Sequence, residues 1–403
     1  MTGLIKNEIK LFFSRKNIIL LILSCIIVIL IFRTTYERQY HKYSQQRLQE
    51  LSNEIDNAAV WSARYTRRLE RLKEEFPGHI KTPEAELVDQ AWKDHLRNLT
   101  TLSFLWKEPV ENKEKIIRVE ERLDENLIEV NKMQIETGDT RLYRDIERDW
   151  NKRMILLAKY KDSGLELDIN PLKPTAMYLL DDSINGRSYI SVLIIALVVL
   201  LNFDIWSKDF DNETLRLIFT LPFSKTKVFN TRFITRFILT LFLVTIPIII
   251  LCSFGFHKYG SGIYRFKIIN SQALYTFGRF ASDNEIMQAY DIVTSVSKLA
   301  IFSGFIFVLF LFFIYAIVNF VSYISKNQQI SILLSMVGIV MLSAAFLVPM
   351  EVKNSAFNLI QFIDTNSLLT GALSFSWIWA CSIFFITNLI IYFINLIWIN
   401  YKE

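Results

Sequence analysis

Apolar residues fall in six blocks along this chain, at 18–32, 189–206, 233–256, 299–323, 330–348 and 375–399. The first block is interrupted only by Ser24 and Cys25. Each approaches the ~20 residues that a helix needs to cross a hydrocarbon core of ~30 Å, the first being at the short end. Polar residues collect between the blocks, whereas a surface helix would intersperse them with apolar ones. The pattern predicts an all-α integral membrane protein. Its six transmembrane helices cover 18–32, 188–206, 232–256, 298–324, 330–349 and 375–399. The polar segments between them are 33–187, 207–231, 257–297 and 350–374.

Residues 1–17 carry a different pattern. Ile5, Ile9, Phe12 and Phe13 share one helical face, with Lys6 and Lys10 on another. Such a helix lies in the headgroup layer before the chain turns into the membrane. The residues after the first block, FRTTYERQ, lack the small-x-small pattern of a cleavage site, so the block reads as an uncleaved anchor. An even number of spans puts both termini on one side. Placing that side in the cytoplasm gives twelve Lys and Arg on the inner segments against six on the shorter outer ones. The positive-inside rule favours this orientation, with the long loop exempt from the count.

The segment 33–187 is then an extracytoplasmic domain, and its own pattern is helical. Leu48, Leu51, Ile55, Ala58, Ser62, Tyr65, Leu69, Leu72 and Phe76 alternate spacings of three and four, a coiled-coil-like heptad seam. It ends at Pro77-Gly78. A second helix starts at Thr82 and Pro83 and runs toward Trp106. A third follows Pro109, with Glu111–Lys115 and Glu114–Arg118 as i,i+4 pairs, and a fourth covers about 140–161. The seam can pack on these helices or pair with a partner subunit.

Composition agrees with this division. The chain of 403 residues is 52% hydrophobic, with 32 Phe and only 12 Gly. The outer domain holds 27 Lys and Arg against 29 Asp and Glu, which argues against a surface for nucleic acid. Cys25, Cys252 and Cys381 all lie in predicted spans, so no disulfide framework is available outside. No G-x-x-x-x-G-K-[ST] occurs, and His41, His79, His95 and His257 have no partner at metal-ligand spacing. No catalytic, cofactor or metal residue is assigned. No span has Asp, Glu, Lys or Arg near its centre, which disfavours ion-coupled carriers and pumps. Tyr315, Asn319, Ser322, Asn388 and Asn395 supply polar atoms at helical spacing, for bonds between helices or for a substrate lane.

The segment 207–231 is short, charged and set between two apolar blocks. Leu215, Leu217, Ile218, Phe219 and Leu221 give it one apolar side, and Asp209, Asp211, Glu213 and Arg216 keep the rest wet. Pro222 ends the helix. At these residues the chain resembles the type-2 ABC transporter permeases, six-span exporter subunits. That family has an acidic stretch, Gly-Thr-Leu, a leucine-rich turn, then Pro-x-Ser-Arg and a downstream Lys. Here Thr214 and Leu215 match Thr-Leu, and Leu217, Ile218 and Leu221 the apolar turn. Pro222-Phe223-Ser224-Lys225 match the proline step, and Arg232 stands where the Lys is expected. Glu213 replaces the glycine.

The resemblance implies that 207–231 holds a coupling helix, with Thr214, Leu215, Leu217, Ile218, Phe219, Leu221, Pro222, Lys225 and Arg232 serving the link to a separate ATP-binding subunit. That subunit would bind ATP and Mg; this chain would bind no cofactor and would not be an enzyme. The other implied partners are a second permease copy or related permease and membrane lipids, in a plasma membrane. The segment 354–371 resembles the partly re-entrant external helices before the last span. The implied function is export of a peptide, antimicrobial or lipid-like substrate. The alternative is a membrane-anchored scaffold, or a mechanotransmitting or sensing subunit, that binds an envelope partner through its outer domain.

Overall fold

The computed structural model describes residues 2–75, 82–109, 111–136, 152, 155–156, 158–163, 170–185, 188–214, 223–279, 291–346, 359, 361–373 and 375–401. They form two compact units. One is Thr35–Lys173, and the other joins the N-terminal segment to Pro174 onward. The boundary falls before the expected one at 187, so 174–185 belongs with the apolar helices.

The second unit is helical. α1 (Thr2–Phe12) precedes α2 (Arg15–Ile31), and a π-helical turn, Phe32–Glu37, follows. After the other unit come α6 (Ala176–Ile184), α7 (Tyr189–Asn202), α8 (Ser207–Asp211) and α9 (Lys225–Tyr259). α11 (Val296–Ser325), α12 (Gln328–Phe346), α13 (Thr365–Leu369) and α14 (Trp377–Tyr401) complete it. Among the described residues five helical stretches are long and apolar enough to cross a membrane, beginning at Arg15, Tyr189, Lys225, Val296 and Trp377. Among the described side chains α12, 19 residues long, adds the apolar stretch Gln328–Gly338.

The burial pattern of these helices identifies their solvent. On α14, Asn388 and Asn395 are buried, while Phe385, Ile386, Ile390, Phe393 and Ile397 are exposed. On α2, Asn17 and Ser24 are buried while Ile19, Ile22, Ile26 and Leu30 face outward. Water would drive the opposite arrangement, so the surrounding medium is hydrocarbon. Several helices start on side-chain caps: Ser188, Ser224 and Ser295 accept from the N–H groups of Ser191, Lys227 and Lys298.

The segment before α7 is a short helix of its own. α6 is seated against α9, where a Cβ on Gly255 would come within 2.5 Å of Leu179 and 2.8 Å of the Pro174 carbonyl. Only glycine permits that approach. The N–H groups of Ala176 and Met177, orphaned at the helix start, donate to the Gly260 and Ser261 carbonyls at 3.2 and 3.0 Å. The expected outer loop 257–297 is not irregular throughout. β1 (Phe266–Asn270) pairs antiparallel with β2 (Asp291–Ser295), Ile268 opposite Val293, and α10 (Ser271–Tyr275) follows β1. Lys267 on β1 donates to Asp181 of α6 and, at 3.3 Å, to Asn366 of α13.

The unit Thr35–Lys173 contains α3 (Arg38–Glu75), α4 (Thr82–Leu105) and α5 (Lys113–Glu136). Leu51 and Ala58 of the seam pack with Leu99, Leu102 and Trp106 of α4's end and Ile116 and Leu123 of α5. The seam is therefore occupied, over these positions, by helices of its own unit. Thr66 of α3 donates to Asp89 of α4 at 2.5 Å, which helps set the register of the two helices, and Lys93 pairs with Asp89 along α4 at 2.7 Å. Phe76 and most of the expected fourth helix lie outside the described residues.

Candidate functional site

The expected loop 207–231 is shorter in the structure, because α9 already begins at Lys225 behind its Ser224 cap. Leu215, Leu217, Ile218, Phe219, Leu221 and Pro222 lie outside the described residues. Thr214, Lys225 and Arg232 are described. They do not form one cluster, since Lys225 opens α9 while Arg232 is buried two turns further on.

What precedes the loop is highly constrained. Trp206 is fully buried, and its ring N–H donates to Asn319 on α11 at 2.5 Å. The backbone N–H groups of Trp206 and Ser207 both donate to the Ser322 hydroxyl, at 3.0 and 3.1 Å. A hydroxyl one turn beyond Asn319 thus satisfies the start of α8, where no helical carbonyl is available. Glu213 has φ 57°, in the left-handed region. A glycine adopts that conformation without strain and glutamate does not, so the family motif's glycine position is the one where the backbone turns. Thr214 then donates from its N–H to the Asp209 carbonyl at 3.0 Å, and its hydroxyl meets the Asp209 carboxylate at 3.1 Å. The other end of this turn is tied as well, for Asp211 accepts from the Gln328 N–H at the start of α12.

Asp209 faces Arg232, and the two side chains form an ion pair. Arg232 reaches in a second direction to Glu8 on α1, Nε to Oε1 at 3.2 Å. Arg236, one turn along α9, takes the other Glu8 oxygen at 3.0 Å. All four side chains are largely removed from solvent, with side-chain exposures of 4% for Arg232, 8% for Arg236, 11% for Glu8 and 14% for Asp209. The Arg232 guanidinium also lies 4.6 Å from the Trp206 ring centroid. Two carboxylates and two guanidiniums balance, so burial leaves no net charge. Alongside, Lys16 on α2 pairs with Asp204 at 2.6 Å and sits over the Phe203 ring.

Of these groups only Thr214 and Arg232 are among the residues expected to act. Glu8 and Arg236 were legible in part, whereas Asp209, expected on the wet side of the helix, is largely buried in its pair with Arg232. Glu8 is the lone acid of α1, and Arg232 and Arg236 stand at i,i+4 on one face. Nothing in the sequence says that these two signals meet, because 228 residues separate Glu8 from Arg236.

The polar groups within the spans resolve into bonds between helices. Tyr315 donates to the Phe233 carbonyl at 2.7 Å, Asn388 to Leu309 at 2.9 Å and Asn395 to Ala316 at 3.2 Å. Asn319 and Ser322 hold Trp206. Asn202 donates to Thr240 at 2.9 Å, joining α7 to α9.

Apolar outer faces, polar inner contacts and a buried ion cluster at the helix ends define a multi-pass helical membrane protein. The chain belongs to a known family of this kind: residues 4–363 match the family described as ABC-2 family transporter protein. It is thus a transmembrane permease subunit of an ABC transporter, a component that works with an ATP-binding subunit. No curated protein and no solved structure matches the chain.

Proposed function

We propose that this chain is the membrane half of an ATP-driven exporter, with 214–222 as the segment through which a separate ATPase drives it. ATP and Mg belong to that ATPase. Two permeases, as a homodimer or with a related chain, pair with two ATPase subunits. The chain has six spans and both termini in the cytoplasm of a cell bounded by the plasma membrane. Its cargo is a peptide, an antimicrobial or a lipid-like molecule.

One observation carries this reading: the family match runs through a loop whose first residues are held rigidly. Trp206, Asp209 and Thr214 are each bonded to a span or to the turn itself. A force applied to 214–222 therefore meets a fixed attachment instead of a slack tether.

The test uses the detergent-extracted complex. Mass measurement should give permease and ATPase in equal number. Leu217→Asp or Phe219→Asp would bury an unpaired carboxylate at an apolar contact, at a penalty of several kcal/mol. ATPase turnover stimulated by peptide or lipid-like antibiotics should fall to its unstimulated rate, with the chain still inserted. Normal stimulation in both variants would remove 214–222 from the coupling role, and a complex without ATPase would remove the exporter reading.

A further inference from the structure

The buried ions at the start of the loop form a connected line. Thr214 bonds Asp209, Asp209 pairs with Arg232, Arg232 pairs with Glu8, and Glu8 pairs with Arg236. The line begins at Thr214, reaches Glu8 on α1 through Arg232 and returns to α9 at Arg236. It crosses α9 at two residues one turn apart. We propose that Glu8, Asp209, Arg232 and Arg236 are positioning residues that lock α1 to the coupling loop, so that α1 moves with 214–222 when the ATPase turns over. This rests on the reading of 214–222 as the coupling segment.

Three features favour a mechanical link over a generic charge contact. First, each oxygen of Glu8 is taken by a different arginine, which fixes the carboxylate in both position and rotation. Second, Arg232 spends different nitrogens on its two partners, Nε on Glu8 and Nη1 on Asp209. Both are charge contacts in which neither nitrogen makes an aligned hydrogen bond, so the guanidinium holds the two acids by the closeness of buried opposite charges. Third, the face of Arg232 rests near Trp206, which α11 holds in place. α1 itself packs along α9 and buries Phe12 fully, so α1 is seated by apolar contact and located by the ions. Glu8 is the only acid on α1, and no other residue of that helix could take its place.

A merely structural role and a positioning role separate in one double variant. Glu8→Gln alone leaves a buried arginine without its counter-charge, and lost folding would then be expected on either view. Glu8→Gln with Arg236→Gln removes one charge of each sign and keeps the Asp209–Arg232 pair, so the cluster stays neutral. This variant should fold and assemble with the ATPase, but α1 is cut from the loop.

The experiment uses the full complex in lipid nanodiscs, with Cys25, Cys252 and Cys381 replaced by alanine. Spin labels are placed on exposed sites. One pair joins Lys10 of α1 to Ile397 of α14, and a second joins Lys208 of α8 to Ile397. Distances are compared without nucleotide and after trapping with ATP and vanadate. In the unmodified cluster both pairs should shift. In the double variant the Lys208 pair should still shift and the Lys10 shift should be lost. A Lys10 shift that survives in the double variant overturns the link, and so does a Lys10 pair that never moves while the Lys208 pair does. If the Lys208 pair does not move even in the unmodified cluster, the coupling reading fails first and takes this inference with it.

Discussion

The two compact units of this chain use one helical period in opposite senses. In α3 the positions that repeat every three or four residues are apolar and inward, Leu51, Ala58 and Leu69, while Arg64, Arg67 and Arg68 face out. In α14 the inward positions include Asn388 and Asn395, and the outward ones are Phe and Ile. The difference lies in the medium. Water pays no attention to helix geometry but expels apolar area, so the unit Thr35–Lys173 is held by burial of Leu and Trp. Hydrocarbon expels nothing apolar, so the membrane unit is held by packing and by hydrogen bonds between helices. The ion cluster at Arg232 is a third case, in which charges are buried and matched one for one.

The comparison breaks most sharply at that cluster. Arg232→Gln would strand Glu8 and Asp209 with one arginine between them. Loss of one partner of a buried ion pair costs about 3–5 kcal/mol. The thermal midpoint of the extracted complex should fall accordingly, and Arg232→Lys should fall less. An unchanged midpoint for the glutamine variant would show that the charges are hydrated.

In the unit Thr35–Lys173 the largest effect should come from its apolar seam. Leu51 is fully buried, and Leu51→Ala should cost about 2–5 kcal/mol. Leu72, only half-buried, should cost visibly less. Equal losses in a denaturant titration of the full chain would mean that the seam has a further partner at Leu72.

Acid should separate the units too. His95 is buried in the unit Thr35–Lys173, and burial pushes its pKa down from 6.5 to about 4. The folded histidine stays neutral where the unfolded one takes a proton. Its contribution is therefore intact above pH 6.5 and is lost as the pH falls toward 4. A shift of this size corresponds to at most about 3 kcal/mol. His95→Gln should flatten the pH dependence of the unfolding midpoint between those limits. A slope that survives the substitution would place the sensitive group elsewhere.

The smallest effect is expected where polarity is buried in the membrane. Asn395→Leu removes the bond to Ala316 but leaves no charge behind, and such bonds average about 0.6 kcal/mol with a ceiling near ~2. A loss as large as that of Leu51→Ala would mean that Asn395 does more than join α14 to α11.

The apolar blocks, the seam and the start of α4 were readable in advance because each is a local matter. A block of apolar residues makes one helix whatever surrounds it, and Thr82 and Pro83 signal a helix start by themselves. The loop was readable only in part. Its motif pointed to Thr214, Lys225 and Arg232, and Glu213 marked the place of a missing glycine. The structure adds that the backbone there does adopt the left-handed turn. The short helix α6 and the hairpin β1–β2 were not foreseen. α6 depends on the space left by Gly255, and β1 has no meaning until β2 pairs with it.

By itself the sequence determined the solvent of each helix and which face of it would be apolar. Those follow from composition and period, which a chain cannot change by folding. Only the tertiary structure decided which charges meet. Glu8, Asp209, Arg232 and Arg236 come from three helices, and an ion pair depends on distances of a few ångströms that no spacing along the chain encodes. The same is true of Trp206, whose ring N–H is held by Asn319 and whose backbone N–H is held by Ser322, both more than a hundred residues away.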